Sequence, residues 1–124
     1  MEKFEKSLEQ SLPIIIKNRT FKFEEKTEND IKCISLYVDN KENPFLVMTL
    51  TNTINFFFYP IDEIAFYALV GKIISPQIEI SEHNNTFTVL TRQFYDYQKT
   101  EEVQEMNKEK AIEYVIQNIK KRLS

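Results

Sequence analysis

The chain has 124 residues, 42% of them apolar and 28% charged, which fits one domain with a single core and excludes a disordered class of protein. Its formal charge of -3, without a large cluster of lysines and arginines, argues against nucleic-acid binding. The charged N-terminal segment and the lack of any run of ~20 apolar residues predict neither export nor a membrane span, and the lone Cys33 fits a cytoplasmic protein without disulfides.

The first predicted element is a short amphipathic helix. Phe4, Leu8 and Leu12 recur at intervals of four residues among charged neighbours, and Pro13 predicts the end of the helix nearby.

Four strands are predicted next, because the apolar residues now alternate with a period of two and the stretches between them are rich in turn-forming residues. The polar run from 25 to 30 is read as the first turn. The predicted strands comprise residues 20–24, 31–38, 44–50 and 54–59.

Residues 61–74 predict a second helix that is apolar on nearly every side. A helix that packs on one core needs only one apolar stripe, so the second stripe predicts a protein partner. One stripe comprises Ile61, Ile64, Ala65, Ala68 and Leu69, and the roughly opposite one comprises Phe66, Tyr67, Val70 and Ile74.

A hairpin of residues 77–81 and 86–92 follows, then a charged connection up to about residue 107, and a closing helix over 110–123. The predicted order is α-β-β-β-β-α-β-β-α. Short turns between neighbouring strands favour an antiparallel or mixed sheet of about six strands with three helices, which is an α+β class of fold in one domain over residues 1–124.

The central strands are apolar on both faces. Phe57 and Tyr59 alternate with Ile54, Phe56 and Phe58, so helices must cover both faces, or one face is a docking surface. In the second case Phe57 and Tyr59 are the preferred contact pair.

Signals for chemistry are absent. The single glycine, Gly71, excludes the glycine-rich loops that bind phosphates, and one histidine with one cysteine excludes a metal site made only of those ligands. Cys33 is read as a small packed hydrophobe and His83 as a solvated turn residue. We therefore expect no catalytic residue, no cofactor and no metal.

The order of elements resembles that of the small secretion chaperones of bacterial type III systems and the related YbjN-like domains. The likeness covers residues 59–64 leading into the apolar helix, the hairpin within 77–92 and the final helix of 110–123. It implies a homodimer that binds an extended or partly unfolded segment of another protein.

These observations predict a non-enzymatic protein-binding domain, either chaperone-like or a small inhibitor or immunity-type protein of bacterial or viral origin that occludes a partner surface. A homodimer through the second helix is expected. The alternative is a small enzyme or ligand-binding protein with a pocket between the sheet and the second helix. The predicted partner-binding residues are Phe66, Tyr67, Val70 and Ile74 of the helix and Phe57 and Tyr59 of the sheet.

Overall fold

The computed structural model describes residues 1–62, 64, 67, 75–95 and 98–124, with backbone alone at 94, 95 and 98. Within these ranges an antiparallel sheet of seven strands is packed against two helices, α1 (Glu2–Ile15) and α2 (Lys108–Leu123). The strands are β1 (Phe21–Glu28), β2 (Ile31–Val38), β3 (Leu46–Leu50), β4 (Thr53–Phe58), β5 (Ile78–His83), β6 (Thr86–Tyr95) and β7 (Gln98–Met106).

The strands lie in the sheet in the order of the sequence, so each pairs with its neighbour along the chain. The α+β class and the antiparallel sheet are confirmed, and the sheet has seven strands where the sequence predicted about six. Residues 98–106, predicted to be a charged connection, form β7 and pair along their length with β6. An edge strand has a neighbour on one side only and exposes much of both faces, so its charged sequence resembles that of a loop.

The first turn was also misplaced. The polar residues 25–28 belong to β1 and pair with β2, and the chain reverses at Asn29 and Asp30, whose φ angles are 51° and 64°. Asn84 and Asn85 have the same left-handed backbone, with φ of 50° and 64°, between β5 and β6. Asn and Asp tolerate this conformation better than most residues, which makes them suited to two-residue hairpin turns.

The core lies between the two helices and one face of the sheet, which we call the inner face. Phe4, Leu8 and Leu12 of α1 and Val115 and Ile119 of α2 are buried in one cluster with the inward residues of the strands. The inward residues alternate with half-exposed ones, as in β3 and β4, so the opposite, outer face is distinct from the core.

The two helices run in the same direction across the inner face. Met1 and Phe4 line a depression together with Lys108, at the start of α2. At the other end, Arg19 follows α1 and donates a hydrogen bond to the carbonyl of Leu123, at the end of α2. Both helices therefore cover the inner face and do not divide between the two faces.

The predicted middle helix, residues 61–74, lies outside the described residues except at Ile61, Asp62, Ile64 and Tyr67. The described ranges thus contain two of the three helices predicted. Helix α2 begins two residues before the predicted start, where the side chain of Asn107 accepts a hydrogen bond from the backbone N–H of Lys110 at 2.9 Å.

Candidate protein-binding surface

Gln77 fixes the base of the segment between β4 and β5, that is, the place where residues 59–76 leave the sheet and return to it. The side-chain carbonyl of Gln77 accepts a hydrogen bond from the N–H of Phe58 at 3.0 Å, and its side-chain amide donates to the carbonyl of Phe58 at 3.2 Å. The backbone N–H of Gln77 donates to the carbonyl of Phe56 at 2.9 Å. The side chain thus makes the pair of bonds that a strand residue would otherwise make, and it holds the two ends of residues 59–76 together.

Arg92 secures the same base from β6. Its Nη1 donates to the carbonyl of Pro76 at 3.0 Å, and its Nη2 lies 3.2 Å from Oε2 of Glu79. Its Nε lies 3.4 Å from Oε1 of Glu101 on β7. Since the guanidinium contacts residues of the two neighbouring strands, β5 and β7, and is largely buried, its position is well defined, and it fixes the last residues before β5.

Apolar side chains are exposed beyond this base. Ile64 and Tyr67 have helical backbone, and their side chains are 83% and 59% exposed. Ile61, by contrast, packs against the core. The exposure of Ile64 shows that exposed apolar surface extends beyond the stripe predicted to bind a partner.

The predicted partner-binding residues of the helix are only partly described. Tyr67 is exposed, whereas Phe66, Val70 and Ile74 lie outside the described residues.

Phe57 and Tyr59, the predicted contact pair of the sheet, are half-buried. Phe57 belongs to the outer face and pairs with Val47 across β3 and β4. The N–H of Tyr59 donates to the carbonyl of Phe45 at 2.8 Å and so extends the pairing beyond β4. The centre of the outer face therefore carries apolar side chains that are neither fully buried nor prominent.

Cys33 and His83, the only cysteine and the only histidine of the sequence, are not brought together. Cys33 is half-buried on β2 and His83 is exposed at the end of β5, with β3 and β4 between them. Three strand spacings separate them by roughly 14 Å, too far for a thiol–imidazole pair. The Nδ2 of Asn84 lies 3.3 Å from Nε2 of His83, a local contact within the turn.

A depression of about 660 Å³ lies next to the start of the segment and is relevant to the enzyme alternative. It is lined by residues 40–43 of the β2–β3 connection together with Ile61 and Asp62. Its walls are mainly polar loop residues, and among the described residues no three His, Cys, Asp or Glu side chains are grouped to hold a metal ion. Of the helices in the described ranges, none has the length and apolar character needed to cross a membrane.

The most unusual polar residue, Glu5, was missed by sequence reasoning. It lies on the buried face of α1 and has no exposed surface. Burial, together with the neighbouring carboxyl group of Glu9, raises the pKa of Glu5 to about 8. A signal was present in the sequence, because residues 1, 5, 8 and 12 share one helix face and three of them are apolar.

No family model, no curated protein and no solved structure matches this chain.

Proposed function

We propose that the protein is a non-enzymatic binding domain that forms a homodimer through the segment between β4 and β5 and binds another protein by occluding or holding part of its surface. The observation that supports this most directly is the exposure of Ile64 and Tyr67. Two large apolar side chains exposed on one short segment are unfavourable in water, and burial against a second copy removes that cost at roughly 25 cal/mol per Å² of apolar surface.

The fixed base of the segment also supports the proposal. Gln77 and Arg92 hold both ends of the segment against the sheet, so less conformational entropy is lost when a partner binds. An aromatic side chain such as Tyr67 is typical of the few interface residues that supply most of the binding energy. Such a surface serves a chaperone-like domain as well as a small inhibitor, and the proposal includes both.

The experiment is a comparison of oligomeric state by light scattering at micromolar concentration. We expect the wild type to have twice the chain mass of 14.8 kDa. The double variant Ile64→Glu with Tyr67→Glu should be a folded monomer, because carboxylates are costly in an apolar interface and harmless in water.

The matched control is Ile14→Glu, which places a carboxylate at another exposed isoleucine, at the end of α1 and 67% exposed. This variant should remain a dimer. A wild type that is monomeric at all concentrations tested would contradict the dimer, and a double variant that stays dimeric would show that the interface lies elsewhere. Circular dichroism of each variant distinguishes dissociation from unfolding.

A further inference from the structure

Glu5 is a buried carboxyl group in the contact between α1 and the sheet. It follows Phe4 and precedes Leu8 by three residues, and all three side chains are within the core. In the described part of the chain, neither carboxyl oxygen of Glu5 has a hydrogen-bond donor as partner. An ionised carboxylate in such a place loses its hydration without compensation, which is among the costliest arrangements in a protein interior.

The nearby cations are engaged with other carboxylates. Nζ of Lys32, on β2, lies 2.9 Å from Glu25 of β1 and 3.4 Å from Glu2 of α1. Nζ of Lys6 lies 3.6 Å from Glu9. Among the described residues, these two lysines and Glu9 are the charged groups that act on Glu5. Neither lysine is in a position to neutralise it completely.

Glu9 lies one turn further along α1 and provides the partner that Glu5 otherwise lacks. Two ionised carboxylates only accept hydrogen bonds and repel each other. If Glu5 holds a proton, its hydroxyl donates to the carboxylate of Glu9, and both the buried charge and the repulsion disappear. The pKa of Glu5 is raised for these reasons, burial being the largest, while Lys6 and Lys32 lower it to a smaller extent.

We propose that Glu5 makes α1 a proton-controlled latch: the helix lies on the sheet while Glu5 holds its proton, and its first turns leave the sheet when that proton is lost. Release would expose Phe4, whose ring centroid lies 5.3 Å from that of Phe87 on β6, together with Leu8. The latch requires no ligand and uses none of the residues of the proposed dimer surface around Ile64 and Tyr67.

The sign of the pH dependence follows from the two states. The pKa of Glu5 is about 8 in the folded protein, compared with 4.5 for the free side chain. Between these values the folded state holds more protons than the unfolded state, so stability falls as the pH rises from about 4.5 to about 8 and then becomes constant. This single group changes the folding equilibrium constant by up to about tenfold per pH unit in that window.

The test compares the wild type with Glu5→Gln, which keeps the shape of the side chain and cannot ionise. Urea unfolding at pH 5, 7 and 9 should show the wild type losing stability with rising pH and Glu5→Gln losing much less, so that the variant is the more stable protein at pH 9. The control Glu24→Gln changes an exposed carboxylate of β1 and should follow the wild type.

Hydrogen exchange then separates the latch from global unfolding, because release of α1 alone should leave the amide of Leu8 less protected at pH 9 than the amides in the middle strands of the sheet. After correction for the intrinsic exchange rate, the amide of Leu8 should lose about tenfold or more of its protection between pH 7 and pH 9 in the wild type and keep it in Glu5→Gln. Unchanged protection at Leu8 would overturn the latch.

Carbon NMR of the Glu5 carboxyl in the wild type needs no variant and so remains decisive even if Glu5→Gln does not fold. A midpoint near pH 8 supports the proposal, and one near the ordinary value for glutamate overturns it.

Discussion

Arg19 donates a hydrogen bond from Nη2 to the main-chain carbonyl of Leu123 at 2.8 Å, although the two residues are 104 positions apart in the sequence. Its other terminal nitrogen, Nη1, binds the carboxylate of Asp39, at the end of β2. One guanidinium therefore connects the residues after α1, the last turn of α2 and a strand end. A lysine could not make both contacts in this planar arrangement.

We expect Arg19→Ala to lower the free energy of unfolding by about 1 kcal/mol, because a carbonyl at the end of α2 and a carboxylate lose their donor at a partly exposed site. Arg19→Lys should restore only part of the loss. The control is Lys17→Ala, which removes an exposed cation from the same connection and should have little effect. Urea unfolding at pH 7 measures all three, and equal stabilities would show that the contact contributes nothing.

The same variant changes the response to acid. The hydrogen bond from Arg19, followed by that from the N–H of Thr20, lowers the pKa of Asp39 below its usual value. Asp39 therefore stabilises the wild type above its ordinary pKa, and this contribution is lost as the pH falls through its lowered folded pKa. In Arg19→Ala the pKa of Asp39 should lie closer to its ordinary value, so the stability contributed by Asp39 should be lost at a higher pH on acidification. For Glu5, by contrast, stability is lost as the pH rises.

A second prediction concerns Gln77. Gln77→Leu removes both partners of the Phe58 backbone, and we expect a loss of about 1 to 3 kcal/mol because the N–H and carbonyl of a buried residue are left unpaired. Gln93→Leu is the matched control, since Gln93 is an exposed residue of β6. The amide of Phe58 should also exchange faster in Gln77→Leu. Retained protection at that amide would mean that the backbone of Phe58 is not held by this side chain.

A third prediction compares two residues near the end of α1. Leu12 is fully buried, whereas Ile14 is 67% exposed. Leu12→Ala should cost about 2 to 5 kcal/mol through lost apolar contact and the cavity that remains. Ile14→Ala should change stability by less than about 0.5 kcal/mol. Chemical denaturation decides the matter, and a large effect at Ile14 would indicate that it is buried by another molecule.

The sequence was most informative where one face of an element is buried. The bounds of β2 agree with the prediction at both ends, because its apolar residues alternate and turn residues flank it on both sides. The β5–β6 hairpin was predicted with its turn nearly in place, since Asn84 and Asn85 mark the reversal. In these segments the local pattern and the tertiary environment favour the same structure.

The sequence was least informative at the sheet edges and at Glu5. In β7 only Val103 and Met106 are apolar, so the alternation of apolar and polar residues that marks a strand is hardly visible, although the strand has nine residues. Glu5 was overlooked because a stripe is recognised by its apolar members, and one carboxyl within it is read as solvent-facing. The pairing of β7 with β6 and the raised pKa of Glu5 both depend on the assembled fold, and no local sequence pattern encodes them.

The sequential order of the strands has a consequence for synthesis on the ribosome. Every strand pairs with its neighbour along the chain, and all neighbours except β4 and β5 are joined by short connections, so the sheet and α1 can assemble as they emerge. Helix α2 comes last and supplies Val115, Ile116 and Ile119 to the core. Until it leaves the exit tunnel, α1 is the only one of the two described helices that covers the inner face, and the apolar surface that α2 later buries is then available to chaperones or to aggregation.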